Sequence, residues 1–250
     1  MTALLQIEDL TKSFGGVKAV FGLSFTVNER EIVGLIGPNG AGKSTVFNLI
    51  NGVYPPDNGR VQFAGVDITG KTPYHIARCG LARTHQIVQP LANMSVLENC
   101  TVGACFGREN LSLMRARAVA REMAVFVGLE GRLATPASQL TIAGKKRLEL
   151  ARALAALPKL LLLDEVLAGL NTTEVERMIG VIRAIRERGI AILIIEHLMQ
   201  AIMGLSERIV VLNSGQKLAE GMPAAVANDP SVIEAYLGDP QLAKALHGTG

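Results

Sequence analysis

The sequence predicts an α/β fold with a mostly parallel sheet, a smaller antiparallel β layer and an inserted helical subdomain. Three observations carry this. Short apolar runs at Leu35, Leu160 to Leu163, Ile190 to Ile195 and Ile209 to Leu212 alternate with helical patterns, the order that parallel strands and their crossover helices require. The early segments Leu4 to Leu10, Leu23 to Val27 and Val61 to Phe63 are β-rich and separated by turn residues, which suits antiparallel pairing. From about residue 87 to residue 157 the apolar periodicity becomes helical. The expected division within a single domain is therefore 1–86 with 158–230 as the core, 87–157 as the helical subdomain, and 231–250 as a C-terminal helix and tail.

Each element has a local reason. Glu31-Ile32-Val33-Gly34-Leu35-Ile36 is an apolar run of buried-strand length, and Val46 to Asn51 reads as a helix closed by Gly52. Glu109 to Val127 is charged on one side and apolar on the other, a helix lying on a core. A further helix is capped by Asn171 and Thr172, lined on one face by Val175, Met178, Ile179, Ile182 and Ile185, and closed by Gly189. Strand Ala191 to Ile195 follows at once. Beyond Pro223 and Pro230, a short helix near Ile233 to Leu237 precedes an end expected to fray.

Composition narrows the class. At 250 residues the chain can bury a full core but not two complete nucleotide domains. The hydrophobic fraction is 49% and the mean hydropathy +0.31, yet no apolar stretch approaches the roughly 18 residues of a membrane span. Excess apolar surface of this kind is expected to meet other protein. Met1 to Glu8 has no basic leader and no cleavage site, which predicts a cytoplasmic chain. A net charge of +3 and no basic tail argue against nucleic acid as a partner. Cys79, Cys100 and Cys105 are odd in number and lack metal spacing, so reduced structural thiols are expected.

The chemistry starts at Gly37-Pro38-Asn39-Gly40-Ala41-Gly42-Lys43-Ser44-Thr45, which meets the phosphate-loop pattern G-x-x-x-x-G-K-[ST] at every constrained position. Glycines at 37, 40 and 42 let the backbone aim N–H donors inward, and the helix that follows presents its positive end to the same phosphates. Lys43 adds a point charge for the outer phosphates, Ser44 a hydroxyl for magnesium, and Thr45 a contact to an inner phosphate. Leu160-Leu161-Leu162-Leu163-Asp164-Glu165 is a buried strand ending in two acids. Asp164 stands where a carboxylate can hold magnesium, and Glu165 where one can polarise an attacking water.

On these motifs the chain resembles the ATP-binding subunits of ABC transporters over nearly its whole length, which implies a P-loop NTPase (RecA-like) core. The resemblance implies further roles, in the family's order along the chain. Phe14 would stack on adenine; Gln86, in Leu81-Ala82-Arg83-Thr84-His85-Gln86, would reach the magnesium and water and respond to the membrane partner. His197, after Ile194-Ile195-Glu196, matches the switch histidine that contacts the γ-phosphate, and Ala168 to Asn171 falls where the family has a loop crossing the dimer interface. His75, His85 and His247 are assigned no role.

The departure lies in the signature segment, Leu140-Thr141-Ile142-Ala143-Gly144-Lys145 and its following helix. In one register Thr141 stands for the family's serine, Ile142 and Ala143 for its two glycines and Gly144 for its glutamine. In the other, Ala143-Gly144 fall on the glycines, Lys145 on the glutamine and Ile142 on the serine. The helix Arg147 to Leu154 favours the first. Ala143 then adds a methyl where backbone must approach the opposite subunit's ATP, which predicts that the partner's site is weakened.

Gly15-Gly16 after Phe14, Ala168 to Asn171, and Val232-Ile233-Glu234-Ala235-Tyr236-Leu237-Gly238 are similar to the branch that takes up branched-chain and hydrophobic amino acids. The resemblance implies ATP and Mg2+ as cofactors. It implies two membrane permeases, a second and non-identical ATP-binding subunit, and indirectly an external substrate-binding protein as partners, with the chain peripheral on the cytoplasmic face. Export ATPases, soluble ABC ATPases and non-hydrolysing regulators are the alternatives, and cargo and direction rest on resemblance alone.

Overall fold

The structure is a computed structural model that describes residues 3–236. In chain order the elements are β1 (Ala3–Phe14), β2 (Val17–Asn28), β3 (Ile32–Ile36), α1 (Lys43–Ile50), β4 (Asn58–Phe63), β5 (Val66–Asp67), α2 (Pro73–Cys79), β6 (Leu81–Arg83), α3 (Val96–Phe106) and α4 (Leu113–Phe126). There follow α5 (Ile142–Ala155), β7 (Leu160–Asp164), α6 (Thr172–Glu187), β8 (Ala191–Ile195), α7 (Met199–Leu205), β9 (Arg208–Asn213), β10 (Gln216–Gly221), α8 (Pro223–Ala227) and α9 (Pro230–Tyr236). The frayed end, and Leu237 and Gly238 of the tail motif, lie outside the described residues. The described chain packs as two compact units, the described parts of Met1–Pro73 and Ala191–Gly250, and Tyr74–Ile190.

The first unit holds two layers. One is antiparallel, in the order β2-β1-β4-β5, with Ile7 opposite both Phe25 and Val61. Burial alternates along β1 and β2 over Leu5, Ile7, Leu23, Phe25 and Val27, the pattern of a sheet wet on one face. The other layer places β3 between β8 and β9, parallel to both, with β10 antiparallel at the edge. Every residue of β3 and β8 is buried, as a parallel strand covered on both faces must be. Each fully buried Ile or Leu contributes about 1.5–3 kcal/mol. Arg208 ties the rim together: its Nε meets Glu31 at 3.0 Å, its Nη2 donates to the Thr26 carbonyl at 2.7 Å, and it also pairs with Glu220.

In the second unit β6 and β7 pair in parallel, Leu81 opposite Leu160, and α3, α4 and α5 pack together. Strand β6 is only three residues long and carries no periodicity of its own, so the sequence shows it only as the run before Gln86. Helix α4 begins at Leu113, four residues later than its charge pattern predicts. The reason is local: the Arg108 amide donates to the Ala156 carbonyl and Asn110 takes a left-handed φ of 49°, so the chain turns there. Helix α6 starts as its sequence predicts, Asn171 and Glu174 forming a reciprocal capping box, and Gly189 beyond its end has φ 89°. Cys79, Cys100 and Cys105 are free thiols, and burial pushes the Cys100 thiol up to about 12. Among the described residues no helix is long and apolar enough to cross a membrane.

Candidate nucleotide-binding and hydrolysis site

In the first unit the loop Gly37–Gly42 joins the carboxyl end of β3 to α1. It is braced from outside. A Cβ on Gly37 would lie 2.2 Å from the Leu212 carbonyl oxygen, and one on Gly42 would lie 2.3 Å from that of Ala19. The Gly215 amide donates to the Ala41 carbonyl at 3.0 Å. Strands β2 and β9 and the turn after β9 therefore press on the loop, closely enough at Gly37 and Gly42 that only glycine fits there. Helix α1 begins without a side-chain cap and without an acid in its first turn, so its amino end is left to an anion. Lys43, buried, folds its Nζ back onto the carbonyls of Gly37 at 2.7 Å and Pro38 at 3.0 Å. Asn39, Gly40 and Ser44 are exposed, Pro38 and Thr45 half-buried. The cradle, the uncapped helix and the lysine together fit a polyphosphate.

His197 follows β8, whose Ile194 is opposite Gly34 of β3, so the histidine and the loop leave the same edge of one sheet. Its side chain is exposed while Glu196 beside it is buried. Phe14 is 42% exposed and meets Tyr54 edge-on, ring centres 5.2 Å apart, with Lys12 Nζ 5.6 Å from its centre. An exposed ring so steadied offers a face to a flat aromatic ligand. Tyr54 was not visible as a site residue, because nothing in its own neighbourhood of the sequence marks it.

In the second unit the two acids have different settings. Asp164 accepts from Arg83 Nη2 at 2.8 Å with both side chains buried, and its amide donates to Thr84 Oγ1 at 3.2 Å. Glu165 lies half-buried at φ 51°, a left-handed conformation that costs a non-glycine residue about 1–3 kcal/mol and marks a constrained position. Gln86 Nε2 donates to its Oε2 at 2.8 Å, and Lys146 Nζ donates to its carbonyl at 2.7 Å. The structure thus brings together Gln86 and Glu165, 79 residues apart. His85 gives its amide to Glu149 at 2.9 Å. Burial, reinforced by Arg83, lowers the His85 imidazole, and burial raises the Glu149 carboxyl.

Arg83 was missed because a lone arginine after a short apolar run reads as surface. Removing its guanidinium leaves the Asp164 carboxylate buried beside apolar strand residues. Arg83→Met is expected to destabilise the protein by about 3–5 kcal/mol, read as a lower urea midpoint at unchanged slope. A shift below about 1 kcal/mol would mean that the pair adds no more than an exposed one.

The signature segment also lies in the second unit. Thr141 is the N-cap of α5, its Oγ1 accepting from the Gly144 amide at 3.1 Å, and Ala143 is buried in the first turn. A cavity of about 280 Å³ opens there, lined by Thr141, Ala143, Gly144, Arg132, Arg147 and Arg177 together with Glu174. Three arginines against one glutamate leave this helix start with an excess of positive charge, which favours anionic oxygen.

A phosphate cradle at a helix start and a second unit ending a buried strand in two acids define an ATP-binding cassette. Residues 20–168 match the family model described as ABC transporter, and the chain belongs to that family. Within it, residues 216–240 match the model described as branched-chain amino acid ATP-binding cassette transporter. The chain is 40% identical to the high-affinity branched-chain amino acid transport ATP-binding protein LivG of Salmonella typhimurium, over 94% of this chain and 98% of that one. To BraF of Pseudomonas aeruginosa, which carries the same description, it is 38% identical with the same coverage. It is similar to the crystal structure of the ADP conformation of MJ1267, an ATP-binding cassette of an ABC transporter. The TM-score is 0.86 and the identity 32%, covering 96% of this chain and all of that one. A nucleotide-free ATP-binding cassette from an ABC transporter matches at TM-score 0.81 and 31% identity, over 99% of this chain and 100% of that one. The fold expected from the sequence, an ABC-type P-loop ATPase core, is the fold of these neighbours.

Proposed function

We propose that this chain is the ATP-hydrolysing subunit of an importer, powering uptake of branched-chain or other hydrophobic amino acids through two partner permeases on the cytoplasmic face of a membrane. The observation that carries the hydrolytic half is Glu165, a carboxylate one residue past a buried strand, held by Gln86 at 2.8 Å. The names of the relatives, and the C-terminal match, support the cargo. Phe14 takes the adenine; Gly37 to Thr45, with Lys43, hold the phosphates. Glu165 is the general base, oriented by Gln86, and receives the proton of the attacking water. Lys43 and His197 stabilise charge gathering on the γ-phosphate. Ser44, Asp164 and Gln86 offer hard oxygen donors, the chemistry that magnesium takes when phosphates complete its shell. When bound, magnesium would neutralise phosphate charge and orient the leaving group.

Thr141 and Ala143 serve the nucleotide of a second, non-identical ATP-binding subunit, whose own signature completes this chain's site. An external substrate-binding protein delivers cargo to the permeases, and nucleic acid has no part. The test is co-expression with candidate permeases and a second ATP-binding chain, followed by reconstitution into liposomes with the ATPase side accessible and leucine and the substrate-binding protein enclosed. Expected is ATP-dependent leucine movement into the compartment that contains this chain, requiring the second chain. Movement in the opposite direction would make the complex an exporter, and a fully active complex containing only this ATPase would remove the heterodimer.

A further inference from the structure

Helix α5, which begins at the signature, carries three charged side chains spaced three residues apart: Lys146, Glu149 and Arg152. That spacing puts them along one side of the helix. Each reaches a backbone group, Lys146 in the loop after β7 and both Glu149 and Arg152 in the loop between β6 and α3. Lys146 Nζ donates to the Glu165 carbonyl at 2.7 Å, Glu149 Oε1 accepts from the His85 amide at 2.9 Å, and Arg152 Nη1 donates to the Gln89 carbonyl at 3.2 Å. Lys146 is 8% exposed and Glu149 4%. Burying an ammonium and a carboxylate is costly unless they are partnered, and here the partners are these backbone groups and, for Glu149, Arg152 Nη2 at 3.9 Å as well.

The groups they hold are not arbitrary. The Glu165 carbonyl belongs to the residue in the left-handed conformation, and it also accepts from the Ala168 amide at 3.3 Å. His85 immediately precedes Gln86, which holds the Glu165 carboxylate. One helix therefore grips the backbone of the base and the backbone beside the base's hydrogen-bond partner.

We propose that Lys146 and Glu149 are positioning residues for hydrolysis, through which the signature helix holds Glu165 and Gln86 in register. The inference rests on Glu165 being the general base. Its consequence is that the segment presented to a second subunit's nucleotide also sets the attack geometry in this chain. Displacement of α5 on engagement would shift Glu165 and Gln86 together, which couples the two nucleotides of a dimer through side chains of one helix.

The test compares Lys146→Met, Lys146→Arg and Glu149→Leu with wild type in the assembled complex. Misplacement of a catalytic group by about 1 Å costs on the order of 100-fold. Lys146→Met and Glu149→Leu are therefore expected to lower kcat about 10- to 100-fold while KM and the affinity for a fluorescent ATP analogue stay within about twofold. Lys146→Arg, which keeps a donor, is expected to recover most of the rate. Amide hydrogen exchange is expected to accelerate at Ala168 in Lys146→Met and at His85 in Glu149→Leu, with the exchange of α1 unchanged. Wild-type kcat in Lys146→Met would overturn the proposal. So would kcat and nucleotide affinity falling together in step with the melting temperature, the mark of a merely structural role. Turnover that survives Glu165→Gln would instead remove the assignment of the base, and this inference with it.

Discussion

Glu165→Gln is expected to abolish steady-state ATP hydrolysis while ATP still binds. The substitution keeps the size of the side chain and an oxygen able to accept from Gln86 Nε2, which now lies 2.8 Å from Oε2. It leaves the carbonyl that Lys146 holds at 2.7 Å untouched. What it removes is the capacity to take a proton, a contribution worth about 100- to 10,000-fold for a positioned base. The phosphate cradle lies in the other packing unit and is unaltered. Phosphate release by the assembled complex should therefore fall by at least about 100-fold, with the affinity for a fluorescent ATP analogue unchanged. If binding persists without hydrolysis, the variant should also accumulate the closed ATP-bound dimer, seen as a stable larger species in the presence of ATP. Hydrolysis at the wild-type rate would take Glu165 out of the mechanism.

What could be read from the sequence, and what could not, follows from where each constraint sits. The loop Gly37 to Thr45 is legible because its demands are local, a backbone turn, an uncapped helix start and one cation within nine successive residues. Its braces are not. Ala19, Leu212 and Gly215 press on the loop through carbonyls and an amide, and main-chain groups leave no mark on residue type. Helix α6 was legible because its cap, apolar face and closing glycine all lie within one segment. Strand β6 was not, because three residues cannot show a period. Lys146 and Glu149 are the instructive case. On a helix of mixed pattern, charged residues read as a wet face, yet here they are buried and spent on the backbone of two loops. No single-segment pattern distinguishes a solvated lysine from one that crosses to a carbonyl 19 residues away. Arg83 and Tyr54 were hidden in the same way, since each gains its meaning from a partner distant in sequence.

Gly42→Ala is expected to eliminate nucleotide binding, and the comparison with Gly40→Ala separates two reasons why a loop needs glycine. Both residues have positive φ, 103° at Gly42 and 79° at Gly40. Around a Cβ on Gly40 there is nothing within 4 Å, so alanine there meets only the backbone penalty, about 1–2 kcal/mol. A Cβ on Gly42 would lie 2.3 Å from the Ala19 carbonyl oxygen, a backbone atom of β2 that cannot swing aside as a flexible side chain would. Either β2 or the loop must move, and Gly42 is also the residue from which α1 starts and beside which Lys43 turns back onto Gly37 and Pro38. The expected cost is therefore larger, about 3 kcal/mol or more, and it falls on the cradle itself. Thermal melts with and without ATP read both effects. Bound ligand at 100 times its Kd stabilises the native state by about 2.7 kcal/mol, which for a chain of this size raises Tm by roughly 5–10 °C. Wild type and Gly40→Ala should show such a rise, the latter from a slightly lower baseline. Gly42→Ala should melt well below both and show no rise. If Gly42→Ala keeps the ATP-dependent shift, neither the close approach of β2 nor the left-handed dihedral at Gly42 is needed to form the cradle.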